Sequence, residues 1–417
     1  MTPVPLSIRA DSLKPSGTLA IAAKAKALAR QGVEVLNFSL GEPDFDTPEP
    51  IRKAAIDALG SGQTHYLPTL GDAETRAVIA DKLTRENGIP GITGDHVAIS
   101  TGAKHSLYLI AHCLLDPNST RANEVLLPVP AWVSYAPIIQ LAGGKVVQLP
   151  TSPAADFKIT PGQLKAAITP RSRLLILNSP SNPCGTMYTP DELKAIAAVV
   201  AEAAASIAPD LVIVTDEIYE KIVFGGIPHY SIGSTPSVAE RTVTINGMSK
   251  AFAMTGWRVG YCAAPGEFGA RLIKAVDNLQ GQMTSCITSF VYPAIRTAIR
   301  ECGADVERFR HAFAKRARVA HERLMGIPGM VCPTPTGAFY LFPDVSAHFG
   351  KKSPAGKTIS CGADFAEALL LEAHVATVPG EEFLGCGSRH IRISYACAES
   401  QIERGMRQIA DFVAKLR

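Results

Sequence analysis

A lysine in a short Ser/Gly-rich connection is the residue of this chain best placed for covalent chemistry. Lys250 lies between two apolar, β-branched runs, residues 242–245 and 259–263, and Arg258 follows it in the same connection. Burial and a nearby cation both favour the neutral form of an amine, which is the nucleophile that Schiff-base chemistry needs. Most lysines are surface residues in loops, but the two flanking core strands argue against that interpretation of Lys250.

A carboxylate and a phenol follow another apolar run. Asp216 falls at the C-terminal end of the strand predicted for residues 211–214, and Tyr219 comes one helical turn later. Open α/β sheets bind their ligands at the carboxyl ends of strands, so this pair could hold a ring nitrogen and a ring oxygen. Taken alone, Asp216 would suit a helix N-cap and Tyr219 a core position.

Two further segments also begin where predicted strands end. Residues 177–186 form an Asn/Pro-rich run, and residues 100–104 join a strand to a helix through small side chains. Exposed N–H groups at a helix N-terminus bind anions, although either segment in isolation is more typical of a plain turn. An amine, a strand-end carboxylate and an anion cradle together match the needs of pyridoxal phosphate.

The elements that must position these residues alternate between strands and helices through the middle of the chain. Short continuous apolar strands separated by helices predict an α/β fold, a large domain whose mostly parallel central sheet is covered by helices. After about residue 285, strands and helices segregate, which predicts a smaller α+β domain. The predicted strands are residues 97–100, 124–127, 145–149, 173–178, 211–214, 242–245, 259–263, 339–342 and 390–396, and the predicted helices begin after Thr47 and cover residues 105–115, 190–208, 294–324 and 365–374.

Composition excludes several classes of protein. The 417 residues are 47% hydrophobic and carry 41 basic against 38 acidic side chains, so neither intrinsic disorder nor a nucleic-acid or membrane partner is expected. The nine cysteines form no Cys-x-x-Cys pair, so we expect reduced thiols, no metal site and a cytoplasmic location. The N-terminal segment has no apolar core that would indicate a signal peptide, and the glycine patterns of nucleotide-binding loops are absent.

The residues singled out above resemble those of class I and II pyridoxal-phosphate aminotransferases, which have fold type I. The resemblance covers nearly the whole chain, and its motifs are specific and in the family's order. It is carried by Ser-Lys-Ala-Phe to Gly-Trp-Arg-Val-Gly-Tyr in residues 249–261, Asn-Pro-x-Gly-Thr in 182–186, Asp-x-x-Tyr in 216–219, Leu-Gly-Glu-Pro-Asp-Phe in 40–45, Tyr66 and Arg392.

The resemblance implies a role for each matching residue. Lys250 would form the Schiff base and move the proton, Asp216 would hold the ring nitrogen, and Tyr219 and Asn182 would bond the ring oxygen. The other implied contacts are Trp132 against the ring face, Gly102, Ala103, Lys104, Ser249 and Arg258 at the phosphate, Tyr66 from the partner subunit of a homodimer, and Arg392 with the backbone of Gly41 at the substrate carboxylate. Asn246 and Gly247 depart from the family, because some relatives have a phosphate-binding Ser there.

The substrate is indicated by two lysines. Lys104 and Lys14 match a bacterial subgroup of aspartate aminotransferases that also accept prephenate. A cation beside the cavity would pair with the distal carboxylate of aspartate, glutamate or prephenate, in a ping-pong reaction between amino acids and 2-oxo acids. The alternatives are that Lys104 only assists the phosphate and Lys14 is a surface residue, and that the substrates are aromatic or neutral. A lyase, or a cofactor-binding regulatory domain, is a further alternative on the same scaffold.

The resemblance also implies how the chain is divided. We expect a large cofactor-binding domain over residues 48–298 and a discontinuous small domain made of residues 13–47 and 299–417. Residues 1–12 would form an N-terminal arm. The cofactor would then lie between the two domains.

Overall fold

The computed structural model describes residues 4–13, 17–118 and 122–417 of the chain. Thirteen α-helices and twelve strands are present in these residues. The helices are α1 Ile8–Ser12, α2 Gly17–Arg30, α3 Glu49–Gly60, α4 Ala73–Asn87, α5 Ala103–Leu114, α6 Tyr135–Leu141, α7 Pro161–Ala167, α8 Pro190–Ala204, α9 Gly266–Gly281, α10 Tyr292–Glu301, α11 Gly303–Met325, α12 Gly362–Ala373 and α13 Glu399–Ala414. The strands are β1 Leu36–Asn37, β2 Val97–Ser100, β3 Glu124–Val129, β4 Lys145–Pro150, β5 Ser172–Asn178, β6 Val212–Asp216, β7 Thr242–Gly247, β8 Gly260–Ala263, β9 Tyr340–Leu341, β10 Val375–Ala376, β11 Val378–Pro379 and β12 Ile391–Ser394.

Seven strands form the central sheet in the order β2-β8-β7-β6-β5-β3-β4. All neighbouring pairs are parallel except the two that involve β8, which runs antiparallel to both β2 and β7. The carboxyl ends of the six remaining strands therefore lie along one edge of the sheet. This edge is where an open α/β sheet binds its ligand.

Helices cover both faces of this sheet. On one face, α5, α6 and α9 pack against the strands around the buried side chains of Leu109, Val125 and Val214. On the other, α7 and α8 pack around Leu126, Ile196 and Ile213. A strand buried on both faces must be apolar throughout, which is why the β3, β5 and β6 sequences read as continuous hydrophobic runs.

A second core gathers the later elements. β9, β11 and β12 form a three-stranded antiparallel sheet, and β1 pairs with β10 in parallel. The helices α11, α12 and α13 pack around buried aromatic side chains that include Phe313, Phe339 and Phe365. This core contains β12 and β9, the strands that bring Arg392 and Tyr340 to the edge of the central sheet.

The fold class predicted from the sequence is confirmed, and the nine predicted strands are all present to within a few residues at their ends. One predicted helix, residues 294–324, is wrong: it is two helices that break at Cys302, where the following Gly303 favours helix formation poorly. The helix predicted to end near residue 208 ends at Ala204. Within the described residues, no helix combines the length and apolar character needed to cross a lipid bilayer.

Candidate active site

A cavity of about 370 Å³ lies where the carboxyl ends of the central strands meet the second core. Its walls come from the carboxyl ends of β5 and β6, from the segments that follow β1, β2, β3, β5, β6 and β7, and from one residue each of β9 and β12. The lining residues are Gly41, Ala103, Lys104, Trp132, Val133, Ser134, Tyr135, Asn178, Asn182, Asp216, Ile218, Tyr219, Ser249, Lys250, Thr255, Arg258, Tyr340 and Arg392.

The Lys250 amine points into this cavity and donates a hydrogen bond to the backbone carbonyl of Gly41. Burial lowers the pKa of Lys250 to about 8, since a charged amine loses its hydration there. Arg392 and Arg258 lower this pKa further, and Glu42 opposes them. Lys250 is therefore still mostly protonated near neutral pH, but a larger share of it is in the neutral, nucleophilic form than in an exposed lysine.

Asp216 lies at the end of β6, and its carboxylate is held by two donors. The phenol of Tyr135 donates to Oδ2 at 2.8 Å, and the N–H of Ile218 donates to Oδ1 at 3.2 Å. Burial raises the pKa of Asp216 to about 6, while both donors and the charge of Lys250 oppose that rise. A buried carboxylate fixed in this way can pair with a cationic ring nitrogen.

Tyr219 follows Asp216 by one turn and is also buried. Its hydroxyl lies 2.8 Å from the hydroxyl of Tyr340, and the Lys250 Nζ lies 6.0 Å from its ring centroid. Burial raises the pKa of the Tyr219 phenol well above its usual value. The group is therefore a hydrogen-bond donor or acceptor and carries no charge at neutral pH.

One end of the cavity is built to bind an anion. The helix α5 begins at Ala103, directly after Gly102, and the first N–H groups of a helix have no partner within it. Gly102 has a φ of +84°, and a Cβ on it would lie 2.4 Å from a guanidinium nitrogen of Arg258. Ser249 lines the same cavity. A hydroxyl, a guanidinium and helix N–H groups together suit a phosphate.

Asn246 and Gly247 stand where some relatives have a phosphate-binding serine, and a serine would not fit at Gly247. A Cβ at Gly247 would lie 2.7 Å from the carbonyl oxygen of Val259 and 2.9 Å from the Cα of Gly260, so β7 and β8 approach too closely for a serine. The side-chain oxygen of Asn246 accepts a hydrogen bond from the N–H of Gly247. Neither residue lines the cavity, whereas Ser249 and Arg258 do and can donate hydrogen bonds to an anion there.

Arg392 provides a second anion site in the same cavity. Arg392 is 3% exposed, and its guanidinium donates to Oδ1 of Asn182 at 3.0 Å and to the carbonyl of Ser39 at 2.7 Å. Its Nε is buried and has no hydrogen-bond partner within the described residues. The two hydrogen bonds orient the guanidinium, and its remaining N–H groups can donate to a carboxylate.

Comparison with known proteins identifies the family. Residues 33–409 match the family model of class I and II aminotransferases. The chain belongs to this family. This class I and II aminotransferase is 41% identical to an aspartate aminotransferase of Geobacillus stearothermophilus, with 98% of each chain covered. It is 39% identical to a probable aspartate/prephenate aminotransferase of Rhizobium leguminosarum bv. phaseoli, with coverage of 98% and 99%. The crystal structure of the aspartate aminotransferase from Rhizobium meliloti superposes with a TM-score of 0.92 at 36% identity over the whole of both chains.

Enzymes of this family depend on pyridoxal phosphate, and the cavity of this aminotransferase fits that cofactor. The donor set provides one group for each part of the molecule: an amine at Lys250 for the aldehyde, a carboxylate at Asp216 for the ring nitrogen, and an anion site for the phosphate. A side chain at Gly102 would meet the Arg258 guanidinium and would need a φ of +84°, so this position of the anion site favours glycine. Both the chemistry and the shape of the cavity are therefore suitable.

The cavity brings together most of the residues that the sequence analysis selected. Those that line it are Gly41, Ala103, Lys104, Trp132, Asn182, Asp216, Tyr219, Ser249, Lys250, Arg258 and Arg392, and Gly102 lies directly behind Arg258. Tyr66 does not line it and is 89% exposed. Lys14 lies outside the described residues.

Two tyrosines of the cavity were missed by the sequence analysis. Tyr135 holds Asp216, and Tyr340 contacts Tyr219. Tyr135 stands next to the selected segment of Trp132, and Tyr340 lies in an apolar strand of the second core, where a tyrosine is typical of ordinary packing. No pattern along the sequence separates these positions from core positions, because their partners lie far away in the chain.

Proposed function

We propose that this aminotransferase moves the amino group of an acidic amino acid, aspartate or glutamate, to a 2-oxo acid, and that prephenate is among its acceptors. The observation that carries the proposal is the placement of Lys104. Its ammonium lies in the cavity wall, 4.9 Å from the ring centroid of Trp132, and makes no ion pair within the described part of the chain. The names of the relatives support the same substrate class.

The cavity offers two cations of different kinds to a substrate with two carboxylates. Arg392 is rigidly held and would bind the α-carboxylate, which every amino acid has. Lys104 would bind the distal carboxylate, which only acidic substrates have. Burial lowers the pKa of Lys104, and the charge of Arg258 lowers it further. A carboxylate bound beside Lys104 would oppose both effects, because it favours the charged ammonium.

The remaining roles follow from position. Pyridoxal phosphate, when bound, supplies an electron sink that stabilises negative charge at the substrate Cα. Asp216 would keep the ring nitrogen protonated, and Tyr219 and Asn182 would donate hydrogen bonds to the ring oxygen. The Lys250 amine lines the same cavity as both anion sites, and it would take the proton from the substrate Cα and return it on the cofactor side.

A homodimer belongs to this proposal. Tyr66 is exposed beside a second cavity lined by residues 64–66 and 286–290, and it would complete the phosphate site of the partner subunit. Each active site would then lie between the large domain, residues 48–298, and the small domain, residues 13–47 and 299–417, with residues 1–12 as an arm. The free thiols and near-neutral charge support a cytoplasmic location.

A panel of amino donors and acceptors tests the substrate class. We expect kcat/KM for aspartate and glutamate, with 2-oxoglutarate, oxaloacetate or prephenate as acceptor, to exceed that for phenylalanine and leucine. Parallel lines in double-reciprocal plots would indicate the ping-pong order. If aromatic or aliphatic donors are better by a wide margin, the acidic assignment is wrong, and if products form without transfer to an acceptor, the enzyme is a lyase.

A further inference from the structure

Tyr340 contacts both halves of the proposed active site. Its hydroxyl lies 2.8 Å from the hydroxyl of Tyr219, and the guanidinium carbon of Arg392 lies 4.7 Å from the centroid of its ring. The side chain is 1% exposed and lines the cavity. A single residue thus contacts the group proposed to hold the cofactor oxygen and the group proposed to hold the substrate carboxylate.

The register of the small sheet explains this position. Tyr340 in β9 pairs with Ser394 in β12, and Arg392 lies two residues before Ser394 on the same strand. Side chains two residues apart point to the same face, so Tyr340 and Arg392 are diagonal neighbours on one face of an antiparallel pair. The contact between ring and guanidinium is therefore fixed by strand pairing and does not depend on a mobile loop.

The hydroxyls of Tyr219 and Tyr340 can each donate only one hydrogen bond. Each hydroxyl has one hydrogen to donate, and either oxygen could be the donor in the bond between Tyr219 and Tyr340. If Tyr219 donates its hydrogen to the cofactor oxygen, the bond between the phenols persists only when Tyr340 donates. A hydroxyl that accepts one hydrogen bond becomes a better donor in the next, because the chain of bonds is polarised.

The hydroxyl of Tyr340 is also held in place by the backbone opposite. A Cβ at Gly41 would lie 2.5 Å from this oxygen, so only glycine allows the approach. The carbonyl of the same Gly41 accepts the hydrogen bond from Lys250. The phenol of Tyr340 is therefore confined between Tyr219 and the residue that orients Lys250.

We propose that Tyr340 is a positioning residue with two separable parts. Its hydroxyl donates to Tyr219 and strengthens the hydrogen bond that Tyr219 donates to the cofactor oxygen. Its ring supports the guanidinium of Arg392 in the orientation that binds the substrate carboxylate. The inference rests on the proposed function for the roles of Tyr219 and Arg392.

The test compares Tyr340→Phe, which keeps the ring, with Tyr340→Leu, which removes both parts. The first measurement is a pH titration of the visible absorbance of each holoenzyme without substrate. A ring oxygen that receives a weaker hydrogen bond retains more negative charge beside the Lys250 nitrogen, which then keeps its proton to higher pH. We expect both variants to raise the pKa of the absorbance change by about one unit relative to the wild type.

Steady-state kinetics with aspartate separates the ring from the hydroxyl. Tyr340→Phe should lower kcat and leave KM near the wild-type value, whereas Tyr340→Leu should also raise KM about tenfold, because a desolvated cation–π contact is lost. In a Tyr219→Phe background, Tyr340→Phe should cause no further shift in the absorbance titration, since the hydroxyl acts through Tyr219.

The proposed role of the Tyr340 hydroxyl and the proposed role of its ring can be refuted separately. An unshifted absorbance titration in Tyr340→Phe would overturn the role of the hydroxyl, and so would a full additional shift in the Tyr219→Phe background. Equal KM values in the Phe and Leu variants would overturn the role of the ring. If Tyr340→Leu does not fold, Tyr340→Met replaces it in the same comparison. The titration uses no substrate, so a wild-type enzyme that rejects aspartate would refute the proposed substrate and leave the test of the hydroxyl intact.

Discussion

The phenol of Tyr135 donates a 2.8 Å hydrogen bond to the carboxylate of Asp216, and both side chains are buried. The bond ties α6 to the carboxyl end of β6, two elements that approach the cavity from different sides. Burial raises the pKa of Asp216 to about 6, and the phenol limits that rise by stabilising the ionised form. The charge state of Asp216 therefore depends on Tyr135, which no pattern in the sequence singles out.

Tyr135→Phe should weaken cofactor binding. Without the phenol, the pKa of Asp216 rises above about 6 and less of the carboxylate is ionised at neutral pH. A hydrogen bond to a charged group contributes about 1.5–3 kcal/mol, so we expect the Kd for pyridoxal phosphate to increase about tenfold or more. The acid limb of the kcat profile should move to higher pH. Equilibrium titration of the apoenzyme with the cofactor measures the first effect.

The matched control is Tyr230→Phe, which removes a half-buried phenol bonded to Thr235 outside the cavity. We expect that variant to bind the cofactor as the wild type does. An unchanged Kd and an unchanged acid limb in Tyr135→Phe would show that the carboxylate does not depend on this hydrogen bond.

The rate of cofactor uptake should reach half of its maximum near pH 8. Only the neutral amine of Lys250 can attack an aldehyde, and burial lowers the pKa of this residue to about 8 from 10.5. At pH values below 8 the amine is mostly protonated, so the rate should rise with pH, reach half of its maximum at about pH 8 and become constant about one pH unit higher. Stopped-flow absorbance of the apoenzyme mixed with pyridoxal phosphate measures it.

Lys250→Ala is the control for this measurement. It should lose both the visible absorbance of the covalently bound cofactor and the aminotransferase activity. A rate that continues to increase to about pH 10 would mean that Lys250 has an ordinary pKa. Absorbance and activity that both persist in Lys250→Ala would show that another residue binds the cofactor covalently.

Lys104→Gln should discriminate between substrate classes. Loss of a charge-assisted hydrogen bond to the distal carboxylate costs about 1.5–3 kcal/mol, so kcat/KM for aspartate and glutamate should fall about ten- to a hundredfold. Neutral amino acids lack that carboxylate and should react nearly as before. Steady-state kinetics with aspartate and leucine as donors measures both. Lys104→Arg, which keeps the charge, should retain more of the aspartate activity.

The alternative role of Lys104 predicts a different pattern. If Lys104 serves only the cofactor phosphate, kcat/KM should fall equally for both classes of donor, and the Kd of the cofactor should rise. The exposed Lys53→Gln, which lies outside the cavity, should change neither quantity. Equal losses for aspartate and leucine would therefore contradict the acidic-substrate proposal.

The sequence was sufficient to predict site residues that lie next to a recognisable strand. Asp216 and Lys250 each lie beside a continuous apolar strand, and the end of such a strand is identifiable without tertiary information. The same reasoning correctly predicted the mostly parallel sheet. The antiparallel direction of β8 could not be predicted, because its apolar pattern is the same in either orientation.

Residues whose role arises from a distant contact could not be predicted. Tyr340 and Tyr219 are 121 positions apart, and their contact depends on how the small sheet packs against the central one. The buried cluster of Lys82, Glu217 and Glu220 is a second example, since its members come from α4 and from the segment after β6. In the sequence, Lys82 resembles any lysine on a helix surface.

That cluster anchors residues 217–220, and none of its members lines the cavity. Lys82 contacts the carboxylate of Glu220 directly, and Asn87 accepts a 2.7 Å hydrogen bond from the Lys82 ammonium. Burial alone would raise the pKa of Glu220, but Lys82, His229 and Lys221 hold it at about 2. Burial and the charge of Glu220 raise the pKa of Glu217 to about 8, so one carboxyl is ionised and the other is protonated at neutral pH.

Lys82→Met should destabilise the protein by about 3–5 kcal/mol at neutral pH, because it leaves the Glu220 carboxylate buried without its cation. Urea denaturation of the apoenzyme measures the change. Since the pKa of Glu220 is lowered in the folded wild type, its contribution to the free energy of unfolding is present at neutral pH and lost as the pH falls toward about 2. The difference in stability between wild type and variant should therefore shrink in acid.

Adding Glu220→Gln to Lys82→Met should restore part of the stability, and the exposed Lys53→Met should have no measurable effect. A stability loss that is the same at every pH and is not relieved by Glu220→Gln would show that Lys82 contributes through packing and not through its charge.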